Sequence, residues 1–312
     1  MAEPVAMLAL AIDAAVGWPN ALYRRIGHPV GVFAFAINRA EARWNRPDLP
    51  AATRRLAGVA TMALIVAGVA LAGWAAQWLS FVVFGTWGWL AVAAMAWPAL
   101  AQRSLFVHVK AVARTLHCGD MRAAREAVSA IVGRDTHEMQ EAPIARAAIE
   151  SLAESFCDGI VAPLFGLLIL GLPGIWVYKA VNTADSLIGH REQRWRAFGW
   201  AAARTDDGMN LIPARLAAIA FCIVGGGGWR IAWRDAAKHT SPNAGWPEAA
   251  MAGALHLRLG GPIRYDGVLY DKPWIGDGSS QPTASDIDRA LRIYVRGCLL
   301  LWFAAGMIEW AR

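Results

Sequence analysis

Between Arg55 and Arg103 the chain carries no charged residue. That length allows two membrane spans of roughly 20 residues joined by a short turn. The turn is predicted at Phe84 to Trp89, where Gly85 and Gly88 break a helix and Trp87 and Trp89 suit a membrane interface. A buried hairpin in a soluble helical protein is the competing reading. Composition speaks against it: 56% of the 312 residues are hydrophobic, 16 are Trp and the mean hydropathy is +0.34. The expected fold class is therefore all-α, a polytopic integral membrane helical protein with broken or re-entrant helices and cytoplasmic amphipathic helices.

The net charge of +6 comes largely from arginines near the ends of apolar segments. Such placement reflects topology and anionic lipid rather than nucleic-acid binding, for which no motif is present. From Arg24 to Arg55, seven arginines (24, 25, 39, 43, 46, 54 and 55) stand against only Glu41 and Asp48, which places that segment on the cytoplasmic side. Ahead of it, Pro4 to Gly17 is apolar but short for a span. It lacks the basic leader of a cleaved signal peptide and is expected to stay attached. Gly27-His28-Pro29-Val30-Gly31 reads as a turn with a structural His28. Cys118, Cys157, Cys222 and Cys298 are scattered without a CxxC pair, so neither disulfides nor a protein-bound zinc or haem is expected.

Past Arg103, Leu105, Val109, Val112 and Leu116 recur at helical spacing, and a Gly119-Asp120 break precedes a second helix to Val132. Asp135 with Glu138 resembles a capping box opening the next helix. On that helix Glu150, Glu154 and Asp158 recur every four residues and would spread over only about 80° of one face. The stripe is either the wet side of an amphipathic helix, with Ile149, Leu152 and Phe156 packed inward, or a functional set beside a low-dielectric boundary. The uncharged run Gly159 to Tyr178 follows, interrupted at Pro163 and at Gly171-Leu172-Pro173-Gly174. Its flanks are arginine-rich on both sides, which a single crossing would not satisfy. A broken or re-entrant pair, made of this run and Leu211 to Trp229, would bring both polar clusters to one cytoplasmic cavity.

Gly225 to Gly228 reads as a flexible connector. Arg230, Arg234 and Lys238 then form a basic stripe for phosphates or for lipid headgroups. Ser241 to Glu248 is a turn into a helix with Pro247 at its first position, ended by Gly260-Gly261-Pro262. Residues to Gln281 look like loop or a small hairpin, and a last helix runs from Ser285 into the apolar tail Gly297 to Trp310. The whole is expected to be one membrane-embedded domain, 1–312. Within it, 54–102 is a transmembrane hairpin, 103–215 the polar helices and interrupted segment forming the site, and 230–296 a cytoplasmic segment.

No GxxxxGK[ST], GxSxG or HExxH pattern occurs, which leaves the carboxylates. Such clusters serve Mg²⁺, which takes one or two carboxylates together with substrate phosphates, while Arg and Lys hold the remaining charge. Asp206, Asp207 and Asn210, with Arg204 just before, suit that task. They equally suit a helix start, with Thr205 or Asp206 as N-cap. Lys179, Asn182 and Asp185 form a third polar group.

Three stretches then carry a family resemblance: GRDTHEMQEAPIARAAIESLAESFCDGIVAPLF, YKAVNTADSLIGHREQRWRAFGWAAARTDDGMNLIPARL and KHTSPNAGWPEAAMAGAL. With Gly27-His28-Pro29-Val30 before them and Leu259-Gly260-Gly261-Pro262-Ile263-Arg264-Tyr265 after, in the family's order, the chain resembles the CobD/CbiB family of cobalamin biosynthesis over nearly its whole length. The chain has Glu154-Ser155 and Cys157-Asp158-Gly159 where the family commonly has Glu-Asn and Ser-Asp-Gly. It also has Gly17-Trp18-Pro19 where an acid often follows the glycine. Positions 18, 155 and 157 are therefore not expected to be required.

The resemblance implies an adenosylcobinamide-phosphate synthase activity, an amide-forming carbon–nitrogen ligase joining aminopropanol, free or phosphorylated, to a propionate of adenosylcobyric acid. ATP as co-substrate and Mg²⁺ are expected, in the bacterial inner membrane with the site facing the cytoplasm, with pathway enzymes as possible partners. Expected roles are Asp206, Asp207 and Asn210 for Mg²⁺ and phosphate, and Lys179, Arg191 and Arg204 as anion clamp, with Asn182, Asp185 and Asn243 also contacting substrate. Glu150, Glu154 and Asp158 are expected to be catalytic, holding the amine. Two rival readings are a membrane transferase acting on diphosphate-linked lipids, from Asn182-x-x-Asp185 and Asp206-Asp207, and a non-catalytic corrinoid-binding subunit.

Overall fold

The computed structural model describes residues 3–265 and 268–312. It is helical almost throughout, as the apolar runs require. Its small strands pair antiparallel, Leu259–Gly260 with Trp274–Ile275 and Ile263–Tyr265 with Val268–Tyr270. Three helices are long and apolar enough to cross a membrane, or up to five if each bent pair counts as one span. The longest, Ala51–Phe84, has 34 residues and at 1.5 Å per residue is about 50 Å long. In the span that begins with it, only 22% of the apolar window is buried in the protein. Leu56, Leu64, Leu71 and Trp78 stay exposed along this helix, a face suited to lipid. The predicted turn falls at Gly85–Trp87, with Gly85 at φ 55°. The return is shorter than two equal spans would give: Gly88–Ala96 has nine residues before a tight turn at Trp97–Ala99.

The chain divides into two compact units, one of Met1–Ala101, Ala162–Asn210 and Ala305–Arg312, the other of Gln102–Val161 and Leu211–Ala304. In the first, Val5–Val16 is followed by a sharp bend, and the segment Asn20–Trp44 departs from it by 102°. The Gly27–Gly31 turn forms as expected. His28 Nδ1 accepts from the Val30 N–H at 3.3 Å, and its ring meets Trp18 edge-on. The interrupted run also breaks, at one of its two predicted points. Gly171, at φ 69°, separates Ala162–Leu170 from Leu172–Ile188. The two helices cross so closely that a Cβ on Gly174 would lie 2.1 Å from the Gly166 carbonyl oxygen. Pro163 breaks nothing. The turn before it, Cys157–Val161, widens to π-helix, which removes the carbonyl its ring would otherwise strike. At the other end of the sequence, Glu309 caps the first helix, accepting from the Ala6 N–H at 2.6 Å and the Met7 N–H at 3.2 Å.

In the second unit, Leu105, Val109, Val112 and Leu116 are buried on Gln102–His117, and Asp120 caps Met121–Ser129 by accepting from the Ala123 N–H. The capping box at Asp135 does not form. Residues 133–140 are loop, and the next helix is Glu141–Phe156, whose start is fixed by Pro143 in the first turn, where the missing N–H costs nothing. Its inner face is as predicted: Ile149, Leu152 and Phe156 are buried, with Phe156 stacked on Phe221 at 4.4 Å. The glycine run is no flexible connector. The Gly227 N–H bonds to the Cys222 carbonyl, and a Cβ on Gly228, at φ 93°, would lie 2.5 Å from the Ala250 oxygen. Pro247 occupies the third position of Gly245–Leu255, still within the first turn.

The basic stripe is paired internally. Arg230 and Arg234 reach Asp277, and Arg234 and Lys238 both pair with the fully buried Asp235, which also accepts from the Gly276 N–H. Those contacts hold the Asp235 carboxyl far below its ordinary 3.8. The stripe thus fastens a loop onto its helix. Three cations against two carboxylates leave the stripe one positive charge in excess, with the Arg230 side chain 78% exposed.

Candidate functional site: a carboxylate recess and a polar relay

Three of the polar side chains that matter in the second unit lie on Glu141–Phe156 and Gly245–Leu255, and a fourth on the turn Cys157–Val161. Glu150 is fully engaged: Arg134 Nη2 donates to one oxygen at 2.6 Å and the Gly260 N–H to the other at 2.7 Å. Arg134 and Glu150 are both largely buried. Such a pair contributes little net stability but is costly to break, because the survivor is left charged in a dry site. Glu154, one turn on, is solvent-exposed, and the charges of Glu150 and Lys272 act on it. Asp158 falls within the widened π turn, half-buried, and has partners of its own.

Glu248 completes the set. It is buried, and burial followed by the negative charges of Glu150 and Glu154 raises its carboxyl well above the ordinary range. It therefore keeps its proton at a pH where an exposed carboxylate has lost it. His239 Nε2 lies 3.6 Å from Glu248 Oε2. Burial first, then Lys272, lowers the His239 pKa. Because its Nδ1 accepts from the Ser241 N–H at 3.0 Å, the neutral ring carries its proton on Nε2, toward Glu248. The recess thus holds an open carboxyl group, a buried acid that favours its protonated form and a neutral imidazole, the elements of proton transfer.

The first unit holds a different arrangement. Lys179 Nζ donates to Asn182 Oδ1 at 3.3 Å, Asn182 Nδ2 to Asp206 Oδ1 at 3.4 Å, Asn210 Nδ2 to Asp206 Oδ2 at 3.0 Å, and Tyr178 OH to Asn210 Oδ1 at 3.0 Å. This relay joins Leu172–Ile188 to Trp200–Met209, and Asp206, Asn210 and Tyr178 within it are buried. Asp185 lies close enough to act electrostatically on Asp206. Arg204 pairs with Asp207 at 3.1 Å and remains largely exposed, and Arg191 is exposed in the segment between the helices.

The predicted site residues thus fall into two sets. Lys179, Asn182, Asp185, Arg191, Arg204, Asp206, Asp207 and Asn210 belong to the first unit, while Glu150, Glu154, Asp158 and Asn243 belong to the second. Asn243 is buried and accepts from Arg215 Nη1 at 2.8 Å. The expected helix start at Thr205 or Asp206 is absent: the helix begins at Trp200, and the acids lie in its second half. Among the described residues no three His, Cys, Asp or Glu side chains converge to hold a metal ion. The oxygen donors present fit a hard cation such as Mg²⁺ only as one shared with substrate phosphates, since such an ion takes one or two carboxylates from the protein.

Sequence reasoning missed Arg134, Arg146, His239, Glu248 and Lys272. Glu248 stands where an acid ordinarily complements a helix N-terminus, which hides its burial among like charges. Only its place in the third resembling stretch marked it.

A family model described as CobD/Cbib protein matches residues 6–294. A cobalamin biosynthesis protein CobD of Rhodobacter capsulatus is 46% identical over 306 residues, covering 97% of this chain and 96% of its own. One from Rhizobium meliloti is 41% identical over 312 residues, with 96% and 94% covered. Another, from Brucella suis, is 43% identical over 300 residues, with 93% and 91% covered. No solved structure matches the chain. With a family model spanning nearly all of the sequence and relatives this similar end to end, the chain belongs to the CobD/CbiB family of cobalamin biosynthesis.

Proposed function

We propose that the protein joins (R)-1-amino-2-propanol, or its O-phosphate, to a propionate carboxyl of adenosylcobyric acid through an amide bond. ATP drives the reaction, and the site faces the cytoplasm from the bacterial inner membrane. Beyond family membership, the observation that supports this reading is the open Glu154 beside the proton-holding Glu248. Amide formation from a free carboxylate needs activation. The propionate oxygen attacks the γ-phosphorus, ADP leaves, and an acyl phosphate results. The amine nitrogen then attacks the acyl carbon, the C–O bond to phosphate breaks, and phosphate departs with that electron pair.

The amine reacts only as a free base, so its ammonium must first lose a proton. Glu154 takes that proton, and Glu248 with His239 fixes the charge balance of the recess as it arrives. Lys179, Arg191 and Arg204 hold phosphate oxygens, and Asn182, Asp185 and Asn243 orient substrate. Asp206, Asp207 and Asn210 would hold Mg²⁺ together with those phosphates, where the ion supplies screening of developing negative charge.

Purified protein in lipid nanodiscs, given adenosylcobyric acid, aminopropanol phosphate and ATP with Mg²⁺, should yield the amide by mass spectrometry with one ADP per product. Amide without nucleotide consumption would refute the activation step. Corrinoid binding with no product under any condition would favour a scaffold.

A further inference from the structure

A cavity lies in the second unit, its wall sharing Arg134 with the Glu150 pair. It has a volume of about 530 Å³ and is walled by the loop carrying Arg134, His137 and Glu138, by Arg146, and by Pro262 and Ile263. Arg146 is only 8% exposed, and its Nε has no hydrogen-bond partner. Its guanidinium lies over the Trp274 ring, 4.8 Å from the centroid. Guanidinium does not shed its proton in proteins, so a buried one must be matched by negative charge or by a ligand. Glu150 acts on Arg146 through its charge but gives both oxygens to Arg134 and the Gly260 N–H, so it makes no hydrogen bond to Arg146. Asp135 and Glu138 on the cavity wall have partners of their own. A planar cation is thus held in place by an aromatic face, with donors unused.

We propose that this cavity is an anion subsite in which Arg146 receives the phosphoryl group of a small organic phosphate. Arg presents a planar fork matched to phosphate oxygens, and the stacked tryptophan holds that fork in one orientation before the ligand arrives. The cavity is larger than inorganic phosphate needs, which points to a phosphate carried on an organic group. Two sources share this chemistry, a nucleotide and a phosphorylated amino alcohol. Only the identity of the natural ligand rests on the amide-forming reading; the binding itself does not.

The test is direct binding to the full-length protein in detergent, by calorimetry, with ATP, aminopropanol phosphate and unphosphorylated aminopropanol as probes. At least one phosphorylated probe should bind wild type, and Arg146→Met should weaken it at least tenfold while leaving the unphosphorylated probe unaffected. Thermal unfolding of Arg146→Met establishes that the variant is folded before its binding is read. Whichever phosphorylated probe responds identifies the source. Should the methionine variant fail to fold, Arg146→Lys decides, with about tenfold weaker binding expected for loss of the fork.

Wild-type affinity in either variant, or no binding of any phosphorylated probe to wild type, would overturn the subsite. If wild type binds a phosphate through Arg146 yet makes no amide, the subsite stands and the proposed reaction fails.

Discussion

The polar relay of the first unit and the carboxylate recess of the second use similar residues to opposite ends. In the relay, Asp206 accepts from two amides and Asn210 both donates and accepts. A network satisfied in this way locks two helices together. In the recess Glu150 is engaged on both oxygens, while Glu154 faces solvent and Glu248 is held toward its protonated form by burial and then by the charges of Glu150 and Glu154. Satisfied polar groups fix structure, whereas unsatisfied ones hold free energy that a substrate can release. Turnover should therefore be most sensitive at the open acid of the recess, and stability at the satisfied groups of either set, Glu150 foremost.

The contrast inside the recess gives the largest expected effects. Glu154→Gln should lower turnover by roughly 10²- to 10⁴-fold with little change in melting. Glu150→Ala should do the reverse in kind, costing about 3–5 kcal/mol of stability by stranding Arg134. Assays of amide formation and of thermal unfolding on both variants separate the roles, and equal behaviour would erase the distinction between the two acids.

A pH titration comes next. The folded Glu248 carboxyl titrates above its unfolded value, so between those two values the folded state binds the extra proton. Stability from this group is present below the unfolded value and is lost as pH rises through the folded one, by up to about 1.4 kcal/mol per pH unit. Wild type should therefore lose stability relative to Glu248→Gln as pH rises from 5 to 8; parallel curves would mean that Glu248 is not held protonated. Asp235 has the opposite sign, stabilising above its ordinary 3.8 and failing only in acid below it, so it does not mask this trend. The smallest effect tests the relay. Tyr178→Phe removes one hydrogen bond to the buried Asn210 and should cost about 1 kcal/mol in thermal unfolding, with a loss of turnover far smaller than that of Glu154→Gln.

Much of the frame was legible because hydrophobic runs and glycines act locally. The charge-free run, the turn at Gly85 and the break at Gly171 follow from residue types over a few positions. The inner face of Glu141–Phe156 follows from a 3.6-residue period. The failures are those in which a distant partner decides. Asp235 lies beside Arg234, but nothing near Arg230 reveals that the distant Asp277 will join the stripe. Nothing near Glu248 shows that Glu150 and Glu154 will surround it. Pro163 failed as a breaker because a π turn, which has no sequence period, absorbed its ring. Within the candidate site, residue types were readable and their pairing was not, since pairing depends on contacts across more than a hundred positions, as between Glu150 and Gly260.

Glu309 carries this dependence on distance to its limit. The first helix has buried amides at its start, and the carboxylate that satisfies them lies 303 residues later. During synthesis Val5–Val16 therefore waits without this cap until the segment carrying Glu309 is made. Closure of the first unit is thus late relative to the appearance of its first helix, which cannot by itself serve as a finished core from which to fold outward.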